Sequence, residues 1–284
     1  MNESPNIKIS LVIYLEKMTP TRFLVFLYPA ILFLVSCGEK VPESGNGNTT
    51  AEERDSSHSA YEIVQTTPHD TSASTQGLLL HEGVYYESTG GYGSSTLRRV
   101  DPKSGKTLKR RNLPVWLFGE GLALRGDKLY QLEWKSGQGF IYDRETFERI
   151  GDFHYPGEGW GLTWDGEYFI LSDGTAFLRF FEPDSFNLVR SVKVHNHLGA
   201  IDRLNELEFV EGKIFANRWF SDELLVINPA SGLVEKTLNL TALERPRPRD
   251  PESVLNGIAY DPKTRLLHVT GKRWPRIYVL RIQE

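Results

Sequence analysis

From about Tyr61 onward the chain is a succession of short runs in which apolar and polar residues alternate, separated by Gly, Asn, Asp and Pro. Alternation with a period of two predicts half-buried β-strands, and the punctuating residues predict tight turns. The runs are themselves repeated. A polar-Gly-Leu-like step opens one five times: Gln76-Gly77-Leu78, Glu120-Gly121-Leu122, Trp160-Gly161-Leu162, Asn205-Glu206-Leu207 and Asn256-Gly257-Ile258, at intervals of about 40–50 residues. Strand repeats of that period predict an all-β fold, a five-bladed β-propeller with four-stranded antiparallel blades. An open array of meanders or a β-sandwich is the rival.

The second copy shows the predicted blade. Strands at 121–124 and 128–132 flank the turn Arg125-Gly126-Asp127, and 139–142 and 149–153 supply the third and fourth. The turn after the third strand recurs as Asp101-Pro102, Asp143-Arg144, Glu182-Pro183 and Asn228-Pro229, each followed by Ser, Thr or Gly within a few positions. Those residues cap a turn and set its φ angles. The last copy ends after a third strand, near 278–282. The strand-like segment Tyr61-Glu62-Ile63-Val64-Gln65 is expected to complete that blade and close the ring, which removes sheet edges.

The segment before the repeats differs. An apolar run at 23–35 follows Lys17 and Arg22 and ends at Cys37, the single cysteine of the 284 residues. Its layout predicts an export signal over 1–37, too short for a comfortable membrane span. Leu34-Val35-Ser36-Cys37 resembles the lipobox of bacterial lipoproteins, which implies cleavage before Cys37 and its lipidation, with Met18 an alternative start. An ordinary signal peptide or a short anchor is the other reading. Residues 38–60 are rich in Gly, Asn, Ser, Thr and Glu and read as a flexible linker. The propeller is then expected over 61–284. It would be exported to the periplasmic side or cell surface and held to a membrane by its lipid alone.

A formal charge of −4 with interspersed signs gives no basic face and argues against a nucleic-acid partner. The basic runs at 106–111 and 245–249 read as solvated loop or strand charges. The histidines form no HExxH motif, His195 and His197 read as surface residues, and no paired cysteines suggest zinc. The Gly-rich segment at 89–95 lacks the Lys of a phosphate loop and reads as a long turn at the mouth. No metal or cofactor is expected, and nothing signals assembly beyond a monomer.

Propeller geometry directs chemistry to the step residues, because the first strand of each blade lines the central channel. Gln76, Glu120, Trp160, Asn205 and Asn256 should converge on one mouth. A second ring of Glu87, Trp134, Asp173, Asn217 with Trp219, and Lys272 with Trp274 two positions beyond it, follows about 10–18 positions later. Glu120, between glycines and near Phe118, suits a general acid/base whose pKa an apolar wall raises. Gln76, Asn205 and Lys272 could stabilise an oxyanion, and Trp134, Trp160 and Trp219 could box a small amine-bearing substrate. The opposing reading makes the tryptophans core and pairs Glu120 with Lys272 structurally. A non-catalytic binder of peptides or glycans would use the same mouth. A propeller hydrolase would need several carboxylates around calcium, and the step residues include one.

Seven motifs resemble, in order, the plant-type glutaminyl cyclases (glutamine cyclotransferases). They are Thr75-Gln76-Gly77-Leu78, Glu87-Ser88-Thr89-Gly90, Phe118-Gly119-Glu120-Gly121-Leu122, Leu204-Asn205-Glu206-Leu207-Glu208, Ala216-Asn217-Arg218-Trp219, Leu255-Asn256-Gly257-Ile258-Ala259 and Val269-Thr270-Gly271-Lys272-Arg273-Trp274-Pro275. The resemblance implies a five-bladed propeller, unrelated to the zinc-dependent animal enzymes. It further implies conversion of peptide N-terminal glutamine, or free glutamine, to pyroglutamate with loss of ammonia. It places the catalytic glutamate on Glu120 and the binding residues on Gln76, Phe118, Trp134, Trp160, Asn205, Trp219 and Lys272. Ser74 stands where that family commonly has an aromatic residue.

Overall fold

The computed structural model describes residues 60–243 and 250–283. The expected signal with Cys37, nearly all of the expected linker and the basic stretch at 245–249 lie outside the described residues. Within them the chain forms five four-stranded antiparallel sheets and no helix. Blade 1 consists of β2 (Thr75–His81), β3 (Val84–Thr89), β4 (Thr96–Val100) and β5 (Thr107–Asn112). Blade 2 follows with β6 (Gly119–Arg125), β7 (Lys128–Glu133), β8 (Gln138–Asp143) and β9 (Arg149–His154). Blade 3 is β10 (Leu162–Trp164), β11 (Phe169–Leu171), β12 (Phe177–Phe181) and β13 (Leu188–Lys193). A two-stranded ribbon, β14 (His195–Asn196) with β15 (Gly199–Ala200), precedes blade 4, an addition the repeat does not announce. Blade 4 is β16 (Leu204–Val210), β17 (Lys213–Arg218), β18 (Glu223–Ile227) and β19 (Val234–Asn239). Blade 5 takes β20 (Leu255–Asp261), β21 (Leu266–Gly271) and β22 (Arg276–Ile282) from the end of the chain and β1 (Tyr61–Pro68) from its beginning. β1 pairs antiparallel with β22, so the ring closes as expected.

Local chemistry explains the joints. The turns after the third strands are capped as predicted: Asp143 accepts from the amides of Glu145 and Thr146, and Asn228 from those of Ala230 and Ser231. Glu82-Gly83 and Glu211-Gly212 both take positive φ, the geometry of a two-residue hairpin whose twist matches its strands. Burial falls from axis to rim. The first five residues of β2 are buried, whereas β5 alternates half-buried and exposed positions. The large apolar side chains fill the spaces between blades; Phe153, Phe169, Phe181 and Phe186 pack between blades 2 and 3, with Phe153 and Phe186 stacked at 4.0 Å.

The inner strands touch in the ring order β2, β6, β10, β16, β20 and back to β2. Glycine at the second step position permits this approach: a Cβ on Gly121 would lie 2.5 Å from the Leu162 nitrogen, and one on Gly77 2.5 Å from the Leu122 nitrogen. Blade 4 carries Glu206 at that place. Its carboxylate accepts the Leu78 amide at 3.2 Å and the Ile258 amide at 2.8 Å, which ties blade 4 to blades 1 and 5 at the axis.

Candidate active site

The step residues owe their direction to irregular pairing. In β2, β6, β16 and β20 the register with the next strand shifts between Thr75 and Gly77, Gly119 and Leu122, Leu204 and Leu207, and Leu255 and Ile258. A bulge re-aims the side chain it lifts from the ladder. Here it turns Gln76, Glu120 and Asn205 out of the regular alternation, and all three line one cavity of about 230 Å³. Trp160, just before β10, lines it too.

Phe118, Trp134, Trp219 and Lys272 complete the set expected from the sequence, and Glu252 joins them. Every residue proposed for the site therefore reaches the same cavity. The remaining ring members do not. Asn256 is fully buried and donates from Nδ2 to the Thr75 carbonyl at 2.9 Å and to Gln76 Oε1 at 3.3 Å. With its oxygen so engaged, the Gln76 amide keeps Nε2 as its donor end. Glu87 is also withdrawn. Its Oε1 accepts from His69 Nε2 at 2.9 Å and from the Thr75 hydroxyl at 2.7 Å. His69 Nδ1 meets the Trp274 carbonyl at 2.7 Å, so both ring nitrogens face acceptors. Burial opposes the imidazolium, but Glu87 and that carbonyl outweigh it and raise the His69 pKa. Asp173 caps Thr175 and pairs with Arg179, Asn217 accepts the Gly257 amide at 3.0 Å, and Trp274 is core with its Nε1 on the Ser253 carbonyl at 3.1 Å. These five serve the scaffold, because each commits at least one polar atom to a protein partner outside the cavity lining or, as Asn256 does, to a neighbouring amide.

The cavity walls are aromatic. Phe118 and Trp134 stand with ring centroids 5.2 Å apart, and Trp160 meets Trp219 edge-on at 5.3 Å. Gly90, in the turn after β3, makes room: a Cβ there would run into the Phe118 ring and lie 2.8 Å from Gln76 Nε2. This assigns the Gly-rich turn at 89–95 a place beside the site. Ser74 precedes β2, and its carbonyl accepts the Gly90 amide at 2.8 Å, which holds the same turn down.

Glu120 is 5% exposed and Lys272 8%. No hydrogen bond or ion pair within 4.0 Å joins them among the described residues, so the structural pair considered above is not formed. They interact at longer range. Burial raises the Glu120 carboxyl well above the usual carboxylate range, Lys272 pulls it back, and Glu133 and Glu158 push it further up. Burial lowers the Lys272 pKa, against Glu120 and Glu252. The cavity thus holds a buried acid whose pKa is raised, a lysine, amide donors from Gln76 and Asn205, and aromatic walls.

Two acids close to the site carry no repeat signal. Glu158 accepts from the indole N–H groups of both Trp134 and Trp160. Glu133 accepts the amides of Lys135 and Ser136 beneath the Trp134 turn. The one local cue to Glu158 is its setting, Gly157-Glu158-Gly159, immediately before the Trp160 step.

This arrangement has known counterparts. The crystal structure of Myxococcus xanthus glutaminyl cyclase matches with a TM-score of 0.74 at 40% identity, covering 78% of this chain and 95% of that one. The glutaminyl-peptide cyclotransferase of Arabidopsis thaliana is 35% identical over 251 residues, which span 86% of this chain and 78% of that protein. A family model described as glutamine cyclotransferase matches residues 37–282. With the whole propeller and its cavity inside that match, the chain belongs to the glutamine cyclotransferase family.

Proposed function

We propose that this chain is a glutaminyl-peptide cyclotransferase that converts N-terminal glutamine, in a peptide or free, to pyroglutamate with release of ammonia. The observation that carries the proposal is the convergence of a buried carboxyl with a raised pKa, a lysine, two amides and aromatic walls in one cavity of about 230 Å³. The α-amine attacks its own side-chain amide carbon, forming the ring C–N bond. The reaction is intramolecular, so its entropic cost is small once the side chain is folded back. Glu120 accepts the proton that the amine loses and delivers it to the departing nitrogen, which leaves as ammonia when the old C–N bond breaks. A carboxyl with a raised pKa suits both transfers. Gln76 Nε2, Asn205 and Lys272 stabilise the tetrahedral oxyanion, and the indoles hold the substrate and exclude water.

The test is ammonia release from a Gln-initiated dipeptide. Glu120→Gln should lower it by about three orders of magnitude while leaving the melting temperature near that of the wild type. Activity near wild type would remove Glu120 from the role. No turnover by the wild type, with dipeptide still bound, would favour a non-catalytic peptide binder. We further infer export and lipid anchoring through Cys37, supported by the charged-then-apolar segment ahead of it. Loss of the protein from the membrane fraction on Cys37→Ser is the expected result.

A further inference from the structure

The cavity of about 230 Å³ has walls supplied by different blades, and a hydrogen bond at an indole N–H adds to packing in restricting the ring's side-chain torsions. Trp134 follows β7 in blade 2, and Trp160 precedes β10 in blade 3. One oxygen, Glu158 Oε2, accepts from Trp134 Nε1 at 2.9 Å and from Trp160 Nε1 at 3.0 Å. Glu158 itself does not line the cavity. It acts from behind the walls.

The loop that carries this carboxylate is in turn fastened. Arg179 of β12 donates to the Glu158 carbonyl at 2.7 Å and to the Pro156 carbonyl, and it pairs with Asp173 at 3.3 Å. The loop bearing Glu158 is therefore clipped to blade 3, and the Gly159 amide reaches across to the Trp134 carbonyl at 3.0 Å. Lys135 Nζ covers one face of the Trp134 ring, 3.9 Å from its centroid. Trp219 differs, because its Nε1 has no acceptor among the described residues and its ring rests edge-on against Trp160. Trp160, once held, gives Trp219 an edge-on support.

We propose that Glu158 is a positioning residue for the substrate cavity, pinning Trp134 and Trp160 through one shared carboxylate oxygen and so setting the width of the gap that receives the glutamine side chain. Its effect on substrate rests on the cyclotransferase reading; the indole clamp itself does not. One side-chain oxygen accepts both indole N–H groups, so one residue secures two walls. Its loss should appear as weaker substrate binding more than as slower chemistry.

Two readouts test this. The six tryptophans give six indole N–H resonances in a nitrogen–proton correlation spectrum, and Trp134→Phe and Trp160→Phe identify the two of interest. In Glu158→Ala both should move upfield as their acceptor disappears. KM for a Gln-initiated dipeptide should rise about tenfold or more, with kcat within about threefold. Glu158→Gln keeps an amide oxygen able to accept both N–H groups. It should retain both resonances near their original positions and KM within about threefold. If Glu158→Ala does not fold, Glu158→Asp replaces it, being one methylene too short to reach both indoles, and at least one resonance must move. Unmoved resonances or an unchanged KM in the alanine or aspartate variant would overturn the proposal. A wild type without turnover would defeat the cyclotransferase reading alone, and the resonances would still decide the clamp.

Discussion

Glu120 and Glu206 are two buried acids in corresponding segments of blades 2 and 4, one position apart in the repeated step. Glu120 holds the first step position. The bulge at 119–122 turns it into the cavity, where its nearest influences are a distant lysine and other acids. Glu206 holds the second position, where the other blades have glycine, and points into the axis with two backbone amides on its oxygens. Burial raises the pKa of both, and for Glu206 the amides of Leu78 and Ile258 act against burial and Glu208. The difference between them is what each carboxylate is offered. Glu206 receives fixed donors, which consume its lone pairs and make it a joint. Among the described residues Glu120 receives none from the backbone, so its lone pairs remain for a substrate proton. Burial by itself does not distinguish a catalytic acid from a structural one; the partners do.

The comparison breaks most sharply at Glu120 itself. The loss of activity expected for Glu120→Gln, about a thousandfold, should come without loss of stability. Glu206→Ala should do the reverse. It strands two buried amides and should cost roughly 2–5 kcal/mol in urea unfolding, with activity per folded molecule little changed. Glu206→Gln, able to accept from only one of the two with its oxygen, should fall between. A stable Glu206→Ala protein would remove the axial joint.

Lys272→Met sharpens the site side of the comparison. Without its oxyanion partner, kcat should fall about a hundredfold. Lys272 also favours the ionised form of Glu120, so its removal raises that carboxyl further. The acidic limb of the kcat/KM profile should then move to higher pH, and a limb that stayed in place would uncouple the two residues. The smallest effect belongs to the scaffold. Burial lowers the His268 pKa to about 4, against Asp261, and its Nδ1 lies 2.6 Å from the Tyr85 hydroxyl of blade 1. The folded value lies below the unfolded one. The associated stability is therefore present above pH 6.5 and lost as pH falls from there towards about 4. In His268→Asn the difference between urea midpoints at pH 7 and pH 4 should shrink.

Much of this was legible before any coordinates. The step repeat located Gln76, Glu120, Trp160 and Asn205, because equivalent positions in a closed ring must face one axis. The second ring added Trp134, Trp219 and Lys272, and the motif resemblance counted Phe118 among the binding residues. The same logic misread Asn256, Glu87, Asp173, Asn217 and Trp274 as members of the mouth. Each has the right residue type and spacing but is engaged by the scaffold: Glu87 accepts from His69 and Thr75, and Asn217 Oδ1 accepts from Gly257 across the blade interface. Glu158 and Glu252 carry no repeat signal, and Glu206, though it stands at the second step position, becomes a joint only through Leu78 and Ile258 of other blades.

Taken alone, the sequence determined the number of blades, the turn chemistry within each and the closure by Tyr61–Pro68. These follow from alternation, spacing and local backbone preference, all of which act over a few residues. Which polar side chains face the cavity and which are consumed by the scaffold was decided by tertiary structure. That choice depends on where a bulge lifts a side chain and which donor from another blade reaches it first. In this ring such partners can lie close to two hundred positions apart, as Asn256 and Gln76 do.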